Sequence, residues 1–161
     1  MKNIYSILII GFIISGCAKD EPFAWNKDVP FQDILAKSSG KLILMDFETE
    51  WWSWCDRLDV DTYSDSKVKA FANKHLISMK IDAEKGEGID LAKQYGVRGF
   101  PTIIFANDKG IEVDRIIGYR PPESFLKELK RIYSGKNTLP NMLKDFQQNP
   151  TKFNTLFKLA K

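Results

Sequence analysis

The sequence predicts an α/β domain in which helices cover both faces of a mixed β-sheet. Three features predict it. Helical and strand-like segments alternate between residues 31 and 133, the order that layers helices over a sheet. The run Leu42-Ile43-Leu44-Met45-Asp46-Phe47 is apolar but for one Asp, as expected of a central strand buried on both faces. Two later apolar runs flank Asn107-Asp108-Lys109-Gly110, a hairpin turn that makes the last strand pair antiparallel.

The elements follow in order. Residues 18–30 read as a tether punctuated by Pro22 and Pro30. Phe31 to Ser38 reads as a short helix with Phe31, Ile34 and Leu35 on one face, stopped by Ser39-Gly40. The central strand comes next, then a Trp-rich segment, 51–55, within which a helix starts. Ser64-Asp65 precedes a helical stretch carrying Val68, Phe71, Ala72 and Leu76. Leu76 to Asp82 reads as a strand. Gly88 to Tyr95 is a helix with Ile89, Leu91 and Ala92 as apolar contacts, closed by Gly96. Thr102 to Ala106 and Ile111 to Ile117 form the hairpin. Pro121-Pro122-Glu123 opens the last domain helix, whose one face carries Phe125, Leu126, Leu129 and Ile132. Residues 136–161 form a helical extension: one helix to about Gln148, a break at Asn149-Pro150, and a second helix over Phe153 to Leu159. This tail resembles the start of a tetratricopeptide-type repeat.

Composition narrows the function. The 161 residues are 43% hydrophobic and 28% charged, with 11 Phe, 4 Trp and 5 Tyr, enough for one core. A net charge of +3, with both signs interspersed, gives no electrostatic case for nucleic acid. The single His, His75, argues against a His-based metal site, which needs convergent ligands. No cofactor is implied.

The N-terminus reads as a signal. Met1-Lys2 gives a positive start, and Ile4 to Ile14 is almost wholly apolar. Such a run is short for a transmembrane helix and fits a signal h-region. It ends in Ser15-Gly16-Cys17, which resembles the lipobox of bacterial lipoproteins. That resemblance implies cleavage after residue 16 and lipid on Cys17, hence a chain anchored to the membrane in the cell envelope. Ala18 rather than Asp follows Cys17, so the retention signal of inner-membrane lipoproteins is missing and the outer membrane is expected, on its periplasmic side or the cell surface. The run Lys19-Asp20-Glu21 resembles a surface-export signal and equally suits a solvated tether. Of two Cys in the chain, lipid on Cys17 leaves Cys55 as the lone thiol.

The informative string is Asp46-Phe47-Glu48-Thr49-Glu50-Trp51-Trp52-Ser53-Trp54-Cys55. With Thr62-Tyr63-Ser64-Asp65 and Gly96-Val97-Arg98-Gly99-Phe100-Pro101-Thr102, it resembles the thioredoxin-like superfamily, most of all the periplasmic domain of the membrane thiol:disulfide interchange protein. The resemblance covers residues 31–133. It implies a thioredoxin-like three-layer sandwich, a cis bond before Pro101, and a buried carboxylate, Asp46, that deprotonates the resolving thiol. It also exposes a departure: Trp52 stands where the family has its first, attacking Cys, and Cys55 matches only the second.

The family's chemistry needs both thiols, one made a thiolate at a helix N-terminus and one to resolve the mixed disulfide. Cys55 is therefore either a small buried residue or a thiol that exchanges alone and captures a partner protein as a mixed disulfide. Asp46 is either the family's base or a residual buried carboxylate held by water or a neighbouring Lys. Trp51, Trp52 and Trp54 either plug the site or form, with Phe100 and Pro101, an exposed surface for peptide. Three functions follow: a peptide- or partner-binding module without dithiol turnover, a monothiol reductase or isomerase using Cys55, or a remnant of a longer repeat-bearing protein.

Overall fold

The computed structural model describes residues 21–148. The expected signal, Cys17 and the second tail helix lie outside the described residues. Among those described, no helix is long and apolar enough to cross a membrane.

The chain begins with a short strand, β1 (Trp25–Asn26), then α1 (Phe31–Ser38), β2 (Leu42–Glu48) and α2 (Ser53–Arg57), which continues into a π-helical segment over Leu58–Tyr63. It proceeds through α3 (Ser66–His75), β3 (Leu76–Asp82), α4 (Glu87–Gln94), the hairpin β4 (Thr102–Ala106) and β5 (Glu112–Ile117), α5 (Pro122–Tyr133) and α6 (Leu139–Gln148). The sheet order is β1-β3-β2-β4-β5. β1, β3 and β2 are parallel, and β4 and β5 are antiparallel to their neighbours. The expected mixed sheet is present, with β2 at its centre.

The period of two along β2 divides its side chains between two cores. Ile43, Met45 and Phe47 enter the cluster under α1 and α4, with Phe31, Ile34, Leu91 and Tyr95. Leu44 enters the other, under α3 and α5, with Val68, Ala72, Phe105, Phe125, Leu129 and Ile132. Both faces are covered, which explains why β2 carries a nearly unbroken apolar run. Asp46 falls on the Leu44 face by the same alternation.

Local signals set the helix ends. Asp65 Oδ1 accepts from the backbone N–H of Lys67 and of Val68 at 2.9 and 3.0 Å, satisfying two donors that the first turn of α3 leaves open. Ser39 and Gly40 both take positive φ at the end of α1, 47° and 82°, the left-handed closure that Gly makes cheap. In the hairpin, Asn107 Oδ1 accepts from Lys109 N and Ile111 N at 2.9 and 3.0 Å, an Asx turn.

The structure corrects three expectations. Part of the tether is folded: Trp25–Asn26 is an edge strand on β3, pinned by Asn73, which accepts from Ala24 N and donates to Pro22 O. A two-residue strand has no periodicity to read, so its aromatic residues were the available signal. Ile89 is 52% exposed and is no core contact, whereas Leu91 is buried. Leu76 starts β3 rather than ending α3. The helix expected to reach about Gln148 is α6, and Leu139 and Leu143 on it are exposed.

Candidate functional site

The site lies at the end of β2, where the strand leaves the sheet and α2 begins. Asp46, on the central strand, is 1% exposed. A lone buried carboxylate is costly, and the compensation comes from the next strand. Lys80 on β3 is in register with Asp46, its Nζ 3.6 Å from Asp46 Oδ2. The same ammonium donates to Glu48 and to both oxygens of Asp59, at 2.6 and 2.7 Å. The rings of Trp25 and Tyr63 lie 5.4 and 5.7 Å from it. Asp46, Glu48 and Asp59 could converge on a cation; Lys80 already supplies one there.

This cluster is asymmetric. Asp46 Oδ1, Thr49 Oγ1 and Tyr63 Oη are buried with no hydrogen-bond partner, although the Tyr63 hydroxyl and the Asp46 carboxyl lie close enough to influence each other's ionisation. Burial pushes the Asp46 carboxyl up to about 7, against the attraction of Lys80; the carboxylates of Glu48 and Asp59 push it the same way. Burial by itself lowers the Lys80 ammonium, but Asp46 and the hydrogen bonds to Asp59 and Glu48 more than offset it and leave Lys80 above its ordinary value.

A pH dependence of stability follows. The unfolded chain ionises Asp46 near 3.8 and the folded chain near 7, so between those values the folded state holds the extra proton. Stability therefore falls as pH rises from about 4 to about 7 and is level above. Asp46→Asn removes this effect. The variant is expected to match the wild type near pH 4 and to exceed it by up to ~4 kcal/mol at pH 8, from ~1.36 kcal/mol for each pH unit. Urea unfolding at the two pH values measures the difference; equal gains at both would show that the Asp46 charge is not its source.

Cys55 sits one turn into α2, 3% exposed, its N–H donating to Trp52 O at 2.8 Å. It is a free thiol. Burial pushes it up to about 11; the hydrogen bond from the Thr49 backbone opposes the rise, and the charges on Asp46 and Glu48 add to it. Asp46 thus lies close enough to Cys55 to influence its ionisation. The thiol itself is mostly protonated at neutral pH, and thiolate is the nucleophilic form.

Trp52 is the N-cap residue of α2, in an extended conformation. The three Trp side chains face outward: Trp51 is 65% exposed, Trp52 38% and Trp54 44%. Trp51 and Trp52 meet edge to face, centroids 5.4 Å apart. Trp51 Nε1 donates to Glu84 at 2.8 Å. Trp54 leans on Tyr119 at 5.7 Å, and Arg57 lies over both rings, at 5.4 and 5.1 Å. The Phe100–Pro101 bond is cis. The two residues of that loop are less available than the sequence suggested. Pro101 is buried and its carbonyl accepts from Gly118 N at 2.8 Å, while Phe100 is half-buried against the α1–α4 core.

The sequence singled out Asp46, Cys55 and the Trp row as candidates, and they lie together where β2 ends and α2 begins. Lys80, Asp59, Glu48, Tyr63 and Trp25 were missed as site residues. A Lys inside the apolar run of β3 was the one legible signal, since a buried Lys needs a counter-ion.

Comparison with known proteins agrees with this geometry. Residues 31–133 match the thioredoxin-like domain family. The thiol:disulfide interchange protein DsbD of Yersinia pestis is 32% identical over 102 residues, 62% of this chain and 17% of that protein. DsbD of Pasteurella multocida is 29% identical over 106 residues, 64% of this chain and 18% of that one. The chain spans less than a fifth of the length of these curated relatives. Among solved structures, a candidate disulphide-isomerase from Bacteroides thetaiotaomicron is 34% identical with a TM-score of 0.62, covering 69% of this chain and 93% of that one. A thioredoxin from Thermus thermophilus gives 0.59 at 28% identity, over 70% and 88%. The match runs over more than half of the chain and spans β2 to β5, with the Asp-bearing central strand and the cis-proline loop: this protein belongs to the thioredoxin-like domain family.

Proposed function

We propose that this protein is a lipid-anchored relative of the thiol:disulfide interchange proteins that binds partner polypeptides and does not turn over dithiols. The observation that carries the reading is the first turn of α2. Trp52 occupies its N-cap, the position at which the family resemblance places the attacking thiol. Three residues on, the one described thiol is 3% exposed and pushed up to about 11. The resolving half of an exchange site, Cys55 with Asp46, is in place without an attacker. The exposed Trp row is the surface left for partners, as aromatic anchors are at interfaces generally.

The anchor rests on Ser15-Gly16-Cys17 and places the domain in the cell envelope. Cys17→Ala is expected to abolish incorporation of labelled palmitate and to leave residues 1–16 attached, read by mass spectrometry.

The test of the reading uses the mature chain with Cys17→Ser. A thiol near 11 is about one part in a thousand thiolate at pH 8, against a substantial fraction for an ordinary thiol. Native Cys55 is expected to react with a disulfide dye at least ~100-fold more slowly than the urea-unfolded chain. Insulin reduction by dithiothreitol is expected to run no faster with the protein than without it. Labelling within tenfold of the unfolded rate, or catalysed insulin reduction, would instead establish Cys55 as a monothiol exchanger and overturn the binding-module reading.

A further inference from the structure

The carboxylates of this chain are not spread evenly. Residues 46–65 hold seven Asp or Glu and one Arg, in a chain whose net charge is +3. Contacts tie this acidic segment and the β3–α4 loop to the aromatic row. Glu84 accepts from Trp51. Asp61 accepts from the Tyr119 hydroxyl at 2.9 Å and pairs with Arg57 at 3.2 Å, and Arg57 spans Trp54 and Tyr119. Lys85 bridges Glu50 and Asp82 at 2.6 and 3.0 Å, and Lys80 is enclosed by Glu48, Asp59 and Asp46. Arg57, Lys80, Lys85 and the exposed Arg120, which donates to the Tyr119 carbonyl at 3.2 Å, thus face a larger set of carboxylates around the platform, to which Asp56 adds an exposed one. Trp51, Trp52 and Trp54 are exposed beside these groups, Trp51 bonded to Glu84 and in edge contact with Trp52, and Trp54 under Arg57.

We infer that the Trp51–Trp52–Trp54–Tyr119 platform docks an extended polypeptide segment rich in Lys or Arg. This rests on the binding-module reading and adds the charge class of the partner. Charge complementarity selects it. The surplus carboxylates attract cations and repel acidic segments, and indole faces add favourable contacts with ammonium and guanidinium groups, as Arg57 shows within the chain itself. Glu50 and Asp56 are exposed and the Trp rings are partly so, so both attractions are available to one chain laid across the surface. Exposed ion pairs are individually weak and screened by salt, so the selectivity arises from several of them acting together.

The experiment titrates the mature chain, Cys17→Ser, with three fluorescein-labelled twelve-residue peptides free of Cys. They share their aromatic and aliphatic residues and differ at four positions, all Lys, all Gln or all Glu. Anisotropy at 20 mM salt is expected to show the Lys peptide binding about tenfold tighter than the Gln peptide, with the Glu peptide weakest. The preference is expected to shrink to about twofold at 300 mM salt. Glu50→Gln with Asp56→Asn, both at exposed positions, is expected to reduce it to threefold or less. Trp51→Ala with Trp54→Ala is expected to weaken Lys and Gln peptides alike. Equal affinity for the three peptides, or a preference indifferent to Glu50 and Asp56, overturns the charge assignment and leaves the binding-module reading standing. Absence of binding by all three overturns both.

Discussion

Lys80→Met is expected to lose about 3–5 kcal/mol of folding stability at pH 8, the range for removing one partner of a buried ionic cluster. Lys80 Nζ is the shared cation of Asp46, Glu48 and Asp59, and its side chain is 4% exposed. Met fills a similar volume, so the loss reports charge rather than a cavity. Asp46 feels it most. Its carboxyl is already held near 7 against the pull of Lys80, and without that pull it is expected to rise further. The loss should therefore shrink on acidification, because below its folded pKa Asp46 is protonated and needs no counter-ion. Urea unfolding at pH 8 and pH 5 tests this. A second variant, Lys80→Met with Asp46→Asn, is expected to recover at least half of the loss at pH 8. A cost below 1 kcal/mol at pH 8, or no recovery, would mean that the cluster is not held by Lys80.

Trp52→Cys is expected to create dithiol turnover where the wild type has none. Positions 52 and 55 are three apart at the start of α2, so their side chains lie on one side of the first turn. A thiolate at 52 would sit at the turn's open N–H groups, which favour it. The sequence of steps is that of thiol–disulfide exchange. The introduced thiolate at position 52 attacks a substrate disulfide, one S–S bond forms and one breaks, and a substrate thiolate leaves. Cys55, giving its proton to Asp46, then attacks the introduced sulfur and releases the second substrate thiolate. The protein is left oxidised, and dithiothreitol returns the two electrons. Because Trp52 is 38% exposed, the substitution should cost less than the ~3 kcal/mol of truncating a buried aromatic residue. Insulin reduction with dithiothreitol, each protein carrying Cys17→Ser, is expected to rise at least tenfold over the wild type and to vanish when Cys55→Ser is added. A Trp52→Cys protein that folds and forms no disulfide between positions 52 and 55 would refute the placement of Trp52 at the attacking position.

Several features of this protein follow from local chemistry and were readable directly. Ser39-Gly40, Asp65 and Asn107-Asp108-Lys109-Gly110 close or open elements through their own backbone preferences, so α1, the start of α3 and the hairpin turn fall where expected. The apolar run of β2 requires cover on both faces, and the period of α5 requires a core below it. The motifs around Cys55 and Pro101 carried the family and with it the cis bond at Pro101.

Other features depend on what a residue meets across the fold, and the tertiary structure decided them. β1 exists because Phe23 and Trp25 stack on each other at 4.2 Å and meet Tyr63 edge to face at 5.0 and 4.8 Å, the latter contacts joining residues far apart in the chain that leave no periodic trace. Whether the Trp row plugged the site or faced outward could not follow from spacing, since the first turn of a helix has both an inner and an outer side. The register of β2 on β3 decided Lys80's role by setting it beside Asp46. Burial leaves that carboxyl half-protonated near neutrality and the Cys55 thiol resistant to ionisation, with Lys80 opposing both shifts, because burial and charge act through space and not along the chain.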